Sequence, residues 1–217
     1  MEIRISQDAK IAYPDLKAAI LEVKSPGRLQ FNEELIRLKK ELEKKVQNEW
    51  TQPETLENVV KYNSFYKKFS SKVPMEFQIK SVAGGKEIPS FNPVLTCMFM
   101  AELKNIILTA GHDLGTLGEN IQVNIADGTE EYTKINDKLQ QLKKGDIFAT
   151  DGNSIISSVF YGPDMRTRIT DESNNYLFMC YVPFDISDSE IRNHMNDIRS
   201  YMEACGTLEI GEVKIAR

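Results

Sequence analysis

The chain has 217 residues, of which 41% are hydrophobic and 27% charged, and its net charge is −5. The acidic balance argues against strong, sequence-blind nucleic-acid binding, which depends on clustered cations, but leaves room for RNA contact through one basic face. No apolar run approaches the roughly 18 residues of a membrane span, and no secretory signal opens the chain. We therefore expect a cytoplasmic protein that forms one domain over 1–217.

The first fifty residues predict two strands followed by a helix. Segments 2–6 and 16–25 have the composition of strands and are separated by a turn-forming Tyr-Pro-Asp at 13–15. From Asn32 onward apolar residues recur at helical spacing. The lysines of this helix are expected on its solvent face, because glutamates alternate with them; they are Lys39, Lys40, Lys44 and Lys45.

Three further helix starts follow between residues 51 and 93. Segment 51–54 has a capping-box pattern, Pro74 begins a short helix that the glycines at 84–85 end, and Asn92-Pro93 combines an N-cap with proline at the first helical position. The last helix is expected to bury Cys97, Met100, Ala101 and Leu103, and a loop is expected over 109–113.

Segment 61–68, KYNSFYKK, interleaves aromatic and cationic residues. Such a pattern is able to stack on single-stranded RNA and neutralise its phosphates. Helical spacing instead places Phe65, Tyr66 and Phe69 in the core. The sequence leaves both interpretations open.

The second half of the chain predicts short strands and a final helix. Segments 121–126, 145–150, 153–161 and 176–184 are β-like and are separated by Gly, Asp and Asn. A capping box at 187–190 opens a helix over 188–205, whose inner face carries Ile191, Met195, Ile198 and Met202. His194 falls on its polar side and is expected to be solvated. Helices first and strands later predict one α+β unit.

The chain lacks the common motifs for nucleotide, dinucleotide and zinc chemistry. The spacing of its two histidines gives no metal signature, and the three cysteines are expected to be buried structural thiols. We therefore expect neither a cofactor nor a metal.

Three segments taken in order resemble the free-standing relatives of the editing domain in the phenylalanyl-tRNA synthetase beta subunit. They are GGKEIPSFNPV (84–94), AGHDL (110–114) with ADGTEEY (126–132), and RTRITDESNNYLF (166–178). The resemblance covers roughly residues 10–185. It implies an α+β fold built around a β-sandwich of unusual topology, flanked by helices. It also implies a protein that binds tRNA and hydrolyses the ester of a mischarged aminoacyl-tRNA in trans, as translation quality control.

The resemblance and the residue pattern nominate several site residues. The loop after the Asn-Pro-Val helix supplies His112 and Asp113 as a candidate catalytic pair, the carboxylate orienting the imidazole. The alternative is a partly exposed loop histidine beside an Asp113 that caps local backbone amides. The resemblance implies a substrate pocket formed by Asn92, Met98, Ala110, Gly111, Met179 and Tyr181. Arg166, Thr167 and Arg168 are the candidate RNA-binding residues, and a salt bridge from the arginines to Asp164 or Asp171 is the alternative.

Two positions depart from the family pattern. The family's histidine aligns with Ala110, and its glutamate at the end of the core strand aligns with residues 179–181, which contain no carboxylate. The amino acid recognised is therefore expected not to be tyrosine, because a polar site rejects ligands that leave its groups unpaired. A module that binds tRNA ends or a free amino acid without hydrolysis, and a protein-interaction domain, are the alternative functions.

Overall fold

The computed structural model describes all 217 residues and contains six α-helices and twelve strands. The helices are α1 Gln7–Ala12, α2 Glu33–Glu49, α3 Glu57–Tyr66, α4 Pro74–Ala83, α5 Pro93–Asn105 and α6 Asp188–Glu203. The strands are β1 Glu2–Ile5, β2 Lys17–Lys24, β3 Thr109–Asp113, β4 Asn120–Ile125, β5 Glu131–Thr133, β6 Leu139–Gln141, β7 Ile147–Thr150, β8 Ile155–Ser158, β9 Gly162–Pro163, β10 Asn175–Val182, β11 Glu209–Ile210 and β12 Lys214–Ala216. The predicted α+β class is confirmed.

The strands form two main sheets and one hairpin. The first sheet has the order β1-β4-β7-β8-β9, in which β1 and β4 are parallel and the other pairs antiparallel. The second has the order β11-β2-β10-β3, and β12 also pairs with β2. One cluster of 50 buried apolar residues includes side chains from both sheets and from all six helices. No helix combines the length and the apolar composition that a membrane crossing needs.

Polar caps set the starts of three of the predicted helices. Asn32 accepts a hydrogen bond from the backbone of Leu35, and Asn92 accepts from two backbone amides at the start of α5. Ser187 and Glu190 form the predicted capping box of α6. The apolar residues predicted to face inward from α5 and α6 are all buried. Of the cysteines, Cys97 and Cys180 are buried and Cys205 is half-buried.

Several local predictions are wrong for identifiable reasons. The 51–54 capping box does not form, because a 3-10 turn occupies Pro53–Thr55 and extended backbone at Leu56 separates it from α3. Segment 109–113 is a strand rather than a loop, because it pairs antiparallel with β10. Lys39 lies in the inner stripe of α2, where its ammonium contacts Glu43 at 3.3 Å and donates to the Ile88 carbonyl at 3.1 Å. Helix α1 and strands β5, β6, β9, β11 and β12 have no counterpart in the predicted elements.

Candidate functional site

A cavity of about 200 Å³ lies where helix α5 and strands of both sheets meet. Its wall is mostly apolar and aromatic, and it is called the central cavity below. The lining residues include Tyr66, Glu102, Thr109, Ala110, Phe160 and Tyr181. An apolar concave site with few polar groups is the usual form of a small-molecule pocket.

A strained turn at the end of α5 positions the polar part of this cavity. Ile106 ends the helix with φ 54° and ψ 51°, a left-handed conformation that is rare for a β-branched residue. The chain therefore reverses sharply and enters β3 at Thr109. The backbone amide of Thr109 then donates to Glu102 Oε1 of the preceding helical turn at 2.6 Å.

Glu102 is the unusual residue of the central cavity. It is only 7% exposed, and the Thr109 amide is the one protein donor to its carboxyl group. Burial raises the pKa of Glu102 to about 8, and no cation of the protein opposes that shift. A buried carboxyl group without a charged partner, at the wall of a cavity, is typical of a functional site.

A chain of polar side chains continues from the cavity toward the surface. Thr109 Oγ1 lies 2.7 Å from His194 Nε2, and His194 Nδ1 lies 3.5 Å from the side-chain amide of Asn105. That amide donates to Asp197 at 2.9 Å. His194 is fully buried, so the prediction of a solvated histidine is wrong. Its polar partners lie on α5 and β3, and burial lowers the pKa of His194 to about 4.

The other polar groups around the cavity are already engaged. Tyr66 donates to the Val159 carbonyl at 2.7 Å, and the Tyr181 hydroxyl is bonded to Ser157. Ser158 donates to Asp146 at 2.6 Å, and burial raises the pKa of Asp146 to about 6. Glu102 therefore supplies the carboxyl group with unused hydrogen-bonding capacity at the cavity wall.

The structure does not join the predicted pair His112 and Asp113. His112 is 0% exposed, its Nδ1 lies 2.7 Å from Thr167 Oγ1, and its Nε2 is buried without a partner. Asp113 accepts from the Gly115 amide at 2.9 Å and from Ser173 at 2.5 Å. The two side chains point to opposite faces of β3, as neighbours in a strand do. The expectation that Asp113 orients His112 is therefore wrong.

The predicted pocket residues separate into three groups. Ala110 and Tyr181 line the central cavity. Asn92 and Met98 line a different surface cavity beside Phe91 and Phe99. Met179 is fully buried, and Gly111 is packed so closely that an added Cβ would lie 2.9 Å from Ile169 and 3.1 Å from Met98. The structure therefore brings two of the six nominated residues to the central cavity, two to the other cavity and two to neither.

The predicted RNA-binding residues are mostly engaged within the protein. Arg166 donates to Asp151 at 2.8 Å and to the Thr116 carbonyl at 2.6 Å. Thr167 is buried against Asp164 and His112, and Arg168 donates to the Met165 carbonyl at 2.8 Å. No regular strand forms over 166–170, so the two arginines do not share a strand face. The salt-bridge alternative for Arg166 describes its surroundings, with Asp151 as the main partner.

Replacing Arg166 with alanine is expected to lower the free energy of unfolding by about 1–2 kcal/mol, because Asp151 is buried and keeps only backbone donors. The estimate is below the range for fully buried pairs, since the Arg166 side chain is 37% exposed. Urea unfolding measures this loss. In an assay of RNA binding, the slope of log Kd against log salt should equal that of the wild type. A slope lower by about 1 would instead assign Arg166 to a phosphate contact.

Sequence reasoning missed Glu102, Thr109 and His194. The one available signal was a carboxylate within the inward-facing apolar run FMAEL of α5. The pairing of Thr109 with His194 spans 85 residues and has no local pattern. Elsewhere, no group of three or more His, Cys, Asp or Glu side chains is gathered in a way that could hold a metal ion.

The fold and its cavity define an α+β protein with a largely apolar cavity between helix α5 and its two main sheets. No protein-family model matches the chain, and no curated protein matches it. Among solved structures, it is similar to an N-terminal fragment of the phenylalanyl-tRNA synthetase beta-subunit from Pyrococcus horikoshii, with 10% sequence identity and a TM-score of 0.49. The match covers 99% of this chain and 50% of the other. The relation is a weak one of fold, and no residue role is transferred from it.

Proposed function

We propose that the chain receives the aminoacyl end of a charged tRNA and hydrolyses the ester in trans, with the central cavity holding the amino acid. The observation that carries this proposal is the buried Glu102 carboxyl group at the wall of an apolar cavity. The ordered resemblance of segments 84–94, 110–132 and 166–178 to editing-domain relatives supports the ester and the tRNA.

The cavity suits a small amino acid better than a nucleotide. Its volume of about 200 Å³ lies below the roughly 300–1,000 Å³ of pockets that hold drug-sized ligands. The apolar lining favours an uncharged side chain. Glu102 then receives the α-ammonium group, because a cation that enters the cavity relieves the cost of ionising a buried carboxyl group.

Ester hydrolysis in such a site requires a positioned water and donors for the developing oxyanion. Backbone amides and the terminal hydroxyl of the tRNA supply these groups in the mechanism proposed. His112 takes no direct part, because its Nδ1 faces Thr167 and its Nε2 is enclosed by the protein. A role for the pair His112 and Asp113 in the chemistry is a prediction that this geometry does not support.

A binding module that recognises an amino acid or a charged tRNA end without hydrolysis is the second candidate. The enclosed position of the nominated histidine favours it over a histidine-dependent hydrolase. The two functions require the same cavity and the same amine recognition. They differ only in whether the ester is cleaved.

A panel of mischarged tRNAs is expected to show cleavage for small, uncharged amino acids and little for tyrosine. The measurement is the loss of radiolabelled amino acid from tRNA with purified protein, compared with spontaneous hydrolysis. Retention of charged tRNA on a filter without cleavage would replace the hydrolase with the binding module. Neither cleavage nor retention at low salt would remove both functions.

A further inference from the structure

Five aromatic side chains form a continuous row that leads to the central cavity. Successive ring centroids are 5.7 Å apart for Tyr13 and Phe65, 5.3 Å for Phe65 and Phe69, 4.8 Å for Phe69 and Phe160, and 4.7 Å for Phe160 and Tyr161. The last two residues line the cavity itself. The row therefore runs from the cavity through the core to the short turn at residues 67–69, where Lys67 and Lys68 are exposed.

Three lysines lie on this row. The ammonium group of Lys68 lies 4.1 Å from the centroid of Tyr13, that of Lys143 lies 4.7 Å from Phe160, and that of Lys134 lies 5.6 Å from Tyr161. Contact with an aromatic face stabilises an ammonium group without neutralising its charge. We call Lys68, Lys134 and Lys143 with their rings the lysine ridge.

None of these three lysines forms an ion pair with a carboxylate, although the chain carries five more negative than positive charges. Lys68 and Lys143 are exposed, and Lys134 is half-exposed. Three cations without an ion-pair partner thus lie along the row: Lys143 and Lys134 over the two rings that line the cavity, and Lys68 over Tyr13 at the far end. In contrast, Arg166 is committed to Asp151.

We propose that the lysine ridge binds the phosphates of the single-stranded 3′ end of an RNA whose attached amino acid enters the central cavity. The proposal rests on the proposed function and adds the path by which the RNA reaches the site. RNA is favoured over an acidic peptide because the proposed function places the 3′ end of a tRNA at the cavity, next to Lys143 and Lys134 over the cavity-lining rings. The rings of Tyr13, Phe160 and Tyr161 each have an ammonium group over one face. We therefore expect these rings to hold the lysines in place rather than to stack on bases.

The ridge also decides between the two interpretations of segment 61–68. Phe65, Tyr66 and Phe69 are buried, as the helical spacing predicts for core residues. Lys68 of the same segment is exposed over Tyr13. The aromatic residues therefore belong to the core, and the cation at the end of the segment remains free for RNA.

The test compares two triple variants. It measures their binding to an RNA hairpin that has a single-stranded 3′ extension and carries no amino acid. The variant K68Q/K134Q/K143Q removes the ridge, and the control K40Q/K44Q/K45Q removes three exposed lysines from the outer face of α2. Fluorescence anisotropy between about 50 and 200 mM salt gives the slope of log Kd against log salt. Removing three single-strand contacts should lower this slope by about 2 and weaken binding at low salt at least about tenfold. The control should keep the wild-type slope, and circular dichroism checks that both variants are folded.

Equal slopes for the ridge variant and the wild type would overturn the proposal. Competition by polyglutamate as effective as that by RNA of equal charge would also overturn it, in favour of an acidic peptide. Binding of a small α-amino ester to the wild-type protein tests the cavity without RNA. Ester binding without any RNA binding would reject the ridge and leave the amino-acid site standing, so the two failures are distinguishable.

Discussion

Replacing Glu102 with glutamine is expected to weaken binding of a small α-amino ester by about 10- to 100-fold, because a charge-assisted hydrogen bond of about 1.5–3 kcal/mol is lost. Glutamine keeps the shape and still accepts from the Thr109 amide. Isothermal titration calorimetry at pH 8 measures the change. Glu43→Gln is the matched control, because Glu43 is a buried carboxylate that faces Lys39 and lines no described cavity.

The pH dependence of that binding is a sharper readout than its strength. Burial raises the pKa of Glu102 to about 8, so the carboxylate that pairs with an ammonium group becomes about tenfold rarer for each pH unit below 8. Affinity should fall with it, and should fall again above pH 8 as the ligand's amine loses its proton. Glu102→Gln should remove the acid limb. If the Glu102→Gln protein kept the wild-type affinity and pH profile, Glu102 would not bind the ligand's amine. Its role would then be only to accept the hydrogen bond of the Thr109 amide.

The same variant should change the stability of the protein without ligand. The folded pKa of Glu102 lies above its ordinary value of 4.5, so stability is fully present below pH 4.5 and is lost as pH rises to about 8. The loss is about 1.4 kcal/mol per pH unit within that window. Urea unfolding should show that the Glu102→Gln protein lacks this decline. This gives a readout that does not depend on identifying the ligand.

The class of the fold could be predicted because its signals are local. Asn32, Asn92 and Ser187 each cap a helix through a backbone amide two or three residues away, so their sequence context is sufficient. Segment 109–113 shows the opposite case. Its Gly, His and Asp favour a loop, but pairing with β10 makes it a strand, and that pairing joins residues more than sixty positions apart.

The candidate site was less predictable because buried polar groups depend on distant partners. His194 has a polar setting in the helical pattern of α6, yet Thr109 and Asn105 of other elements enclose it. Lys39 is buried because Glu43 and the Ile88 carbonyl accept its ammonium group. Arg166 was nominated for phosphate, but Asp151, fifteen residues earlier, occupies its guanidinium group. Charge alone does not show whether a side chain is free.

Replacing His112 with asparagine is expected to make the protein less sensitive to acid than the wild type. Burial lowers the pKa of His112 to about 4, so the folded protein stays unprotonated at this residue where the unfolded chain takes up a proton. A histidine with a depressed folded pKa contributes stability above about pH 6.5 that is lost as pH falls toward 4. The loss is about 1.4 kcal/mol per unit and about 3.5 kcal/mol over the whole window. The variant should not show this part of the loss.

The comparison must use the difference in unfolding free energy between the variant and the wild type. The reason is that protonation of Glu102 and Asp146 changes stability in the opposite direction from protonation of the histidines. Their pKa values are raised to about 8 and about 6, so the folded protein takes up protons at these groups as pH falls and gains stability. Urea unfolding at pH 7, 6, 5 and 4.5 should give a variant-minus-wild-type difference that grows by about 1.4 kcal/mol per unit below pH 6.5. His194→Asn should give a similar slope, since burial lowers the pKa of His194 to the same value.

Parallel stability curves for the wild type and the His112 variant would mean that His112 titrates freely in the folded protein. Such a result would place its imidazole in contact with solvent and return it to the list of groups that could act on a substrate.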